Sequence, residues 1–209
     1  MKKMLVVFWC LSLAALLSFS LSITSHEYTS NEQKSFVINK PYLSVVKSMA
    51  TKESLEKTVE EDKGTVTNKR WQNFTIEVPQ RILRIKDYSL EGLLYFTVEK
   101  PGGDLGRLSL DFEQNISVNK NAFLVKINLR EPQRNVKVYN KVIEISPLAD
   151  DPLKTQVFIR SELSVLKLIP FFFKSVMDKK VLDANSKDLE SISHNIMRIT
   201  EDTSPVIKF

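Results

Sequence analysis

The chain has 209 residues, of which 43% are hydrophobic and 26% are charged, and its formal net charge is +5. This length suits one domain and is too short for a typical (β/α)₈ barrel. The composition excludes a disordered chain and a multispan membrane protein. So small a positive surplus is not the footprint of nucleic-acid binding, which requires clustered lysines and arginines on one face. We therefore expect a globular domain with a packed core and no nucleic-acid partner.

Residues 1–25 have the pattern of a targeting segment. Two lysines follow Met1, and residues 4–23 carry no charge, which is the arrangement of a secretory signal. Serines near the end of the run allow cleavage, whereas its length also suits an uncleaved membrane anchor. Both alternatives predict export to the periplasm or the extracellular space. Cys10, the only cysteine, lies inside this run, so the rest of the chain offers no disulfide, cysteine nucleophile or Cys-ligated zinc.

Residues 26–34 are polar and are predicted to form a tether, and Phe36–Ile38 then suggest a short strand. Pro41 suits the first turn of a helix. Thr51 suits the cap of a second short helix, predicted over Lys52–Glu61 and stopped by Gly64. Two helices this short must pack against a larger element, because they are not stable alone.

Between Gly64 and Lys167 apolar and polar residues alternate with a period of two, interrupted by turn residues. The clearest strand runs from Leu108 to Val118, and Asn119–Asn121 signal a tight hairpin. The glycine-rich residues 102–106 lead into a strand and not a helix, so we interpret them as a turn and not a phosphate loop. The pattern predicts six or seven antiparallel strands in a sheet with one buried and one solvated face.

Residues 170–200 are predicted to form one long amphipathic helix, and residues 201–209 a frayed tail. Apolar positions from Phe173 to Ile199 recur every three or four residues, and the buried face of the sheet is their expected partner. Phe171, Phe172 and Phe173 cannot all face the sheet, because successive helical residues point about 100° apart. The triplet could pack on the two short helices, cover a cavity mouth or contact a membrane.

This order of elements resembles the helix-grip architecture of the START-like superfamily of polyketide cyclases and lipid-transfer proteins. The resemblance extends over residues 35–200 and includes Asn39–Tyr42 before the first helix, Leu90–Gly92 at a strand start and Ile169–Pro170 before the last helix. It implies an α+β fold in which a curved antiparallel sheet wraps around the long C-terminal helix. It also implies a space between sheet and helix for a lipid, sterol, polyketide or similar apolar ligand.

The resemblance implies ligand contacts from the inner faces of the sheet and the helix. The candidate ligand-binding residues are Phe74, Leu94, Phe96, Phe112, Gln114, Val157, Ile159, Phe173 and Met177. The alternative is that bulky side chains fill this interior as a solid core. Gln114 and Ser161 are polar residues at inward positions, and each needs a partner. That partner is either a ligand or an internal hydrogen bond.

Residues that would support catalysis are sparse. His26 and His194 are the only histidines, and His194 is expected at the surface or boundary of the last helix. No nucleotide-binding, metalloprotease or serine-hydrolase motif is present, so we expect no catalytic residue, no metal and no cofactor.

We therefore expect an exported binding or carrier protein for an apolar or amphipathic, lipid-like small molecule, and the sequence favours binding over enzymatic activity. One alternative is a cyclase or hydrolase that uses polar groups of the cavity wall. The other is an envelope interaction domain with a solid core. Arg130, Arg134 and Lys137 near one turn could meet anionic lipid headgroups, so a membrane surface is a further candidate partner.

Overall fold

The computed structural model describes residues 23–59, 64–77, 89–101, 107–119, 121–133 and 135–201. The predicted targeting segment up to residue 22, the glycine-rich turn 102–106 and the tail from residue 202 lie outside these residues. The elements in chain order are β1 (Ile23–Ile38), α1 (Tyr42–Met49), α2 (Lys52–Thr58), β2 (Thr65–Glu77), β3 (Ser89–Pro101), β4 (Arg107–Val118), β5 (Phe123–Leu129), β6 (Val136–Leu148), β7 (Asp151–Pro170) and α3 (Lys174–Glu201). A short 3₁₀ helix, Phe171–Phe173, joins β7 to α3.

The seven strands of the described residues form an antiparallel sheet in the order β1-β7-β6-β5-β4-β3-β2. Strands β2 to β6 each pair with the next strand in the chain, as the short predicted connections require, whereas β1 pairs with β7, the last strand. Two register shifts interrupt β2, between Thr67 and Arg70 and between Trp71 and Asn73. Such bulges bend a strand and increase its twist, which helps the sheet to curve around a helix.

Strand β1 is longer than the sequence predicts. Residues 26–34, predicted as a tether, belong to this strand of 16 residues, which begins at Ile23. The inward positions here include Tyr28 and Ser30, both buried, but their neighbours are polar throughout. The apolar alternation that indicates a strand is therefore missing. The tether prediction is wrong, because these residues pair with β7 along their whole length and the inward Ser30 accepts a hydrogen bond from Asn185 of α3.

The helices α1 and α2 cover one end of the inner face of the sheet. Tyr42 of α1 is buried, and its hydroxyl donates a hydrogen bond of 2.8 Å to the carbonyl of Asn119 after β4. Thr51 caps α2 as predicted, since its Oγ1 accepts a hydrogen bond of 3.1 Å from Ser54 N. The cap satisfies one of the amide groups that have no partner at a helix start.

The long helix α3 crosses the inner face and packs on β1 and β7. Its buried side chains begin at Val181. The predicted apolar stripe begins too early, because Phe173 and Val176 are each 48% exposed. Strand β7 ends at Pro170, so the first helical turns lie beyond the end of that strand.

A continuous hydrophobic core joins the inner face of the sheet to all three helices. Leu94, Phe123, Ile143 and Ile159 of the sheet and Ile196 of α3 have no exposed surface. The element order, the sheet and the long helix confirm the predicted helix-grip α+β fold. In the part of the chain that the structure describes, no helix combines the length and apolarity needed to span a bilayer.

Glu56 connects α2 to β2. Its carboxylate accepts hydrogen bonds from Trp71 Nε1 at 2.9 Å and from Lys69 Nζ at 3.0 Å. Burial alone would raise the pKa of the Glu56 carboxyl, but the hydrogen bonds from Trp71 and Lys69 outweigh it and hold that pKa below its usual value. The folded protein therefore favours the charged form of Glu56, which ties the short helix to the sheet.

The contribution of Glu56 to stability is expected to depend on pH. Because its folded pKa is lowered, the contribution is complete above the unfolded pKa of about 4.3 and is lost as the pH falls through the folded pKa. The side chain is 24% exposed, and solvent screens such pairs, so Glu56→Gln should cost only about 0.5 kcal/mol at neutral pH. Urea unfolding of Glu56→Gln and of the unmodified protein, at neutral and at strongly acidic pH, measures the difference in the free energy of unfolding. An equal loss at both pH values would contradict it.

Candidate ligand-binding site

The structure brings most of the predicted ligand contacts into one interior. Six of them lie on the inner face of the sheet and are at most 4% exposed: Leu94, Phe96, Phe112, Gln114, Val157 and Ile159. Phe74 of β2 is partly buried and packs against this core. Met177 of α3 is partly buried, whereas Phe173 is exposed. Inward placement is thus observed for the strand residues and not for Phe173, and contact with a ligand stays a prediction for all nine.

A row of aromatic rings crosses the interior from β3 to β6. Phe96 and Phe112 stack with ring centroids 5.4 Å apart, and Tyr139 packs edge-on against Phe112 at 5.4 Å. Lys141 Nζ lies 4.6 Å from the centroid of the Tyr139 ring, within the range of a cation–π interaction. The aromatic row therefore ends at a buried positive charge.

Lys141 and Asp188 form a buried ion pair between β6 and α3. Lys141 Nζ lies 2.9 Å from Oδ1 and 2.7 Å from Oδ2 of Asp188, and the two side chains are 6% and 7% exposed. Taking both charges out of water is costly, and their close contact offsets that cost. This pair is not among the residues predicted from the sequence. The signal was present, because Lys141 lies between the inward residues Tyr139 and Ile143, and Asp188 lies four residues before Ile192.

Asn185 joins α3 to β1 and β7 through a buried polar network. Its Nδ2 donates to Ser30 Oγ at 3.1 Å, and its Oδ1 accepts a hydrogen bond of 2.6 Å from Ser161 Oγ. All three residues are at most 5% exposed. The partner of Ser161 is therefore an internal hydrogen bond to Asn185, which was one of the two predicted alternatives. Asn185 was also missed, although it lies four residues after Val181, in phase with the buried face of α3.

Gln114 is the other predicted inward polar residue, and its amide is not satisfied. The residue is 0% exposed, and Nε2 lies 3.5 Å from both Leu55 O and Thr58 Oγ1 of α2. Oε1 has no hydrogen-bond partner among the described residues. Exchanging the amide oxygen and nitrogen would place the oxygen beside Leu55 O, which cannot donate a hydrogen bond, so the Gln114 amide would still not be satisfied. Since an unsatisfied buried polar group costs about 1–3 kcal/mol, Gln114 marks a position where a bound donor would be stabilised.

Tyr28 of β1 supplies a second unsatisfied polar group. The residue is 1% exposed, and its hydroxyl has no hydrogen-bond partner within the described chain. A tyrosine hydroxyl is protonated at neutral pH, since its ordinary pKa is about 10, and burial and the nearby carboxylate of Asp178 raise the pKa of Tyr28 further. The interior thus offers an acceptor at Gln114 and a donor at Tyr28.

His194 is exposed on α3, as predicted for a surface or boundary position. It therefore does not join the polar groups of the interior. Among residues 23–201, leaving aside the segments that the structure does not describe, no group of three or more His, Cys, Asp or Glu side chains is arranged to hold a metal ion.

The outer face of the sheet carries a groove across β2 to β5. Asn73, Glu91, Asn115 and Lys126 are among its lining residues. The groove is open to solvent and its walls mix polar and apolar groups, whereas small-molecule sites are usually enclosed and mostly apolar. We therefore place the candidate site on the inner face.

No protein-family model matches the chain, and no curated protein matches its sequence. Norcoclaurine synthase from Thalictrum flavum, solved with dopamine and hydroxybenzaldehyde, is 10% identical over 90% of this chain and 92% of that chain, with a TM-score of 0.46. The protein of unknown function SA2116 from Staphylococcus aureus is 9% identical over 85% of this chain and 96% of that chain, with a TM-score of 0.49. The di-domain ARO/CYC BexL from the BE-7585A biosynthetic pathway is 9% identical over 85% of this chain and 50% of that chain, with a TM-score of 0.46. Similarities this low concern the fold alone, and neither a ligand nor a reaction follows from them.

Proposed function

We propose that this protein binds an apolar or amphipathic small molecule between the inner face of the sheet and α3, without covalent chemistry. The observation that carries the proposal is Gln114, a fully buried amide whose oxygen finds no donor in the described chain. A ligand with an apolar body and one hydroxyl or amine donor would satisfy this oxygen. Its apolar part would gain about 25 cal/mol for each Å² removed from water.

Helix α2 is the element that would move to admit such a ligand. Its residues Leu55 and Thr58 lie over the Gln114 amide, with polar atoms 3.5 Å from Nε2. A helix of seven residues is unstable without tertiary contacts, and Glu56 holds it to β2 through Trp71 and Lys69. In this proposal α2 is the cover of the site, and the Glu56 contacts keep it closed.

Binding without catalysis suits the interior groups. Asp188 holds the Lys141 ammonium at 2.7 Å, so the nitrogen is engaged as a cation and does not act as a nucleophile. The Tyr28 hydroxyl is protonated at neutral pH, and its raised pKa makes it a still weaker acid than an ordinary tyrosine. His194 faces solvent. Among the described interior residues, these groups form no nucleophile with an adjacent general base.

We also propose that the domain acts outside the cytoplasm. The support is the sequence of the N-terminal segment, in which two lysines precede the uncharged residues 4–23. Fractionation of the native host, with an antibody against the chain, tests the location. Recovery in the cytoplasmic fraction would refute export.

Gln114→Leu is expected to raise stability and to weaken ligand binding. Leucine removes the unsatisfied acceptor, so the free energy of unfolding of the ligand-free protein should rise by about 1 kcal/mol. The lost hydrogen bond should weaken binding about 10-fold. The ligand is first identified by mass spectrometry of organic extracts from natively purified protein. Urea unfolding and titration with that ligand then measure the two effects.

Ser161→Ala is the matched control, because Ser161 is also a buried polar residue of the inner face but donates to Asn185. This variant should lose stability and keep its ligand affinity. Gln114→Leu would contradict the proposal if it lost stability. The proposal would also be contradicted if the unmodified protein carried no extractable ligand and gained no thermal stability from a panel of fatty acids, sterols and isoprenoids.

A further inference from the structure

One corner of the fold exposes a cluster of large apolar side chains, which we call the aromatic corner. In the described part of the chain its members are each between 42% and 71% exposed: Ile23, Leu168, Phe171, Phe172, Phe173 and Val176. Packing of the three phenylalanines on α1 and α2, one of the predicted alternatives, is not observed. Single exposed apolar residues are common in proteins, whereas several at one corner, among them three phenylalanines with ring centroids 5.7 and 4.8 Å apart, mark a contact surface.

The register of β1 and β7 places the aromatic corner where the N-terminal segment joins the fold. Ile23, the first residue of β1, pairs with Pro170, which directly precedes Phe171. Residues 4–23 carry no charge, and about 20 apolar residues match the hydrocarbon thickness of a bilayer. Because paired residues lie about 5 Å apart, a bilayer that receives this run also lies next to the aromatic corner.

Lysines surround the aromatic corner. Lys167 precedes it on β7, and Lys174, Lys179 and Lys180 are exposed on the first turns of α3, with Asp178 as the acidic residue among them. Aromatic side chains flanked by lysines are typical of segments that lie at a membrane interface. The surplus of positive charge favours anionic headgroups over neutral ones.

We propose that the aromatic corner docks into the interface of a bilayer that contains anionic lipids. Phe171, Phe172 and Phe173 enter the boundary between headgroups and acyl chains, and the lysines of α3 stay level with the headgroups. The fold then lies against the membrane at the end of β7. Docking goes beyond ligand binding in the interior and does not depend on it.

The full chain in vesicles of phosphatidylcholine and phosphatidylglycerol tests this proposal. Because Cys10 is the only cysteine, Cys10→Ser allows a single nitrobenzoxadiazole label at Phe172→Cys. The matched control is Leu153→Cys, since Leu153 is 68% exposed but lies at the opposite end of β7. We expect several-fold brighter, blue-shifted emission at position 172 than at position 153, and quenching by brominated lipids at position 172 alone.

Equal emission and equal lack of quenching at positions 172 and 153 would overturn the proposal. Bright emission at position 172 without quenching by brominated lipids would also overturn it, because another part of the chain or a second copy would then cover the corner. Val176→Cys provides a second labelling position if Phe172→Cys fails to fold. Vesicles of phosphatidylcholine alone should reduce the quenching several-fold, and undiminished quenching there would refute the role of anionic lipids.

Discussion

Lys141→Met is expected to lower the free energy of unfolding by about 3–5 kcal/mol, because it leaves the Asp188 carboxylate buried without its counter-charge. Methionine fills a similar volume on β6, so the loss reports the charge and not the packing. The two charged groups are 2.7 Å apart and their side chains are 6% and 7% exposed, so water has little access to replace the ammonium. Urea unfolding of the variant beside the unmodified chain measures the difference.

The double variant Lys141→Met/Asp188→Leu separates the ion pair from the packing around it. With both charges removed, neither remains buried alone, and stability should return to that of the unmodified chain or exceed it. Lys126→Met on β5 is the control, because this lysine is exposed and its loss should change stability by no more than about 0.5 kcal/mol. A double variant as unstable as Lys141→Met would show that the lost stability came from packing.

The strands β2 to β7 could be predicted because one face of the sheet meets water and the other meets the core. That asymmetry imposes a period of two on the sequence, and it placed Leu94, Phe112 and Ile159 correctly on the inner face. The Thr51 cap could be predicted for a similar reason, since a hydroxyl that accepts from Ser54 N needs only local sequence.

Strand β1 and its polar contacts with α3 were not predicted, because the two elements meet partly through polar groups. The helical phase places Asn185 and Asp188 on the buried face of α3, but their polar side chains are typical of the surface, and Ser30 has no apolar alternation around it. Their inward orientation depends on partners far away in the chain, and Asn185 and Ser30 are 155 residues apart. Pairing over such a separation is a property of the assembled sheet and leaves no local pattern.

The candidate site shows the same division. The phase of β4 is enough to place Gln114 inside, but its unsatisfied oxygen depends on where α2 lies above it. Phe173 continues the apolar stripe of α3 in sequence, yet it is exposed because it lies beyond the end of β7 at Pro170. The sequence indicates which face of an element is apolar. How far the element packed against that face extends depends on the tertiary structure, and the local sequence does not show it.

Asn185→Leu is expected to lower the free energy of unfolding by about 3 kcal/mol, since it breaks a satisfied buried polar network. Leucine removes the donor to Ser30 Oγ and the acceptor of the Ser161 hydroxyl, at 3.1 Å and 2.6 Å. Both serines then remain buried with fewer partners. This change in the free energy of unfolding has the opposite sign to that expected for Gln114→Leu, because the Asn185 amide is hydrogen-bonded whereas the Gln114 oxygen is not.

The loss should concentrate on β1, because Asn185 connects this strand to α3 while β7 keeps its pairing with β6. Hydrogen exchange should therefore accelerate in β1 more than in β4. Adding Ser30→Ala and Ser161→Ala to Asn185→Leu removes the remaining hydroxyls and should restore most of the stability. If exchange in β1 did not change, α3 would hold this strand through apolar contacts, and the polar network would not be what adds β1 to the sheet.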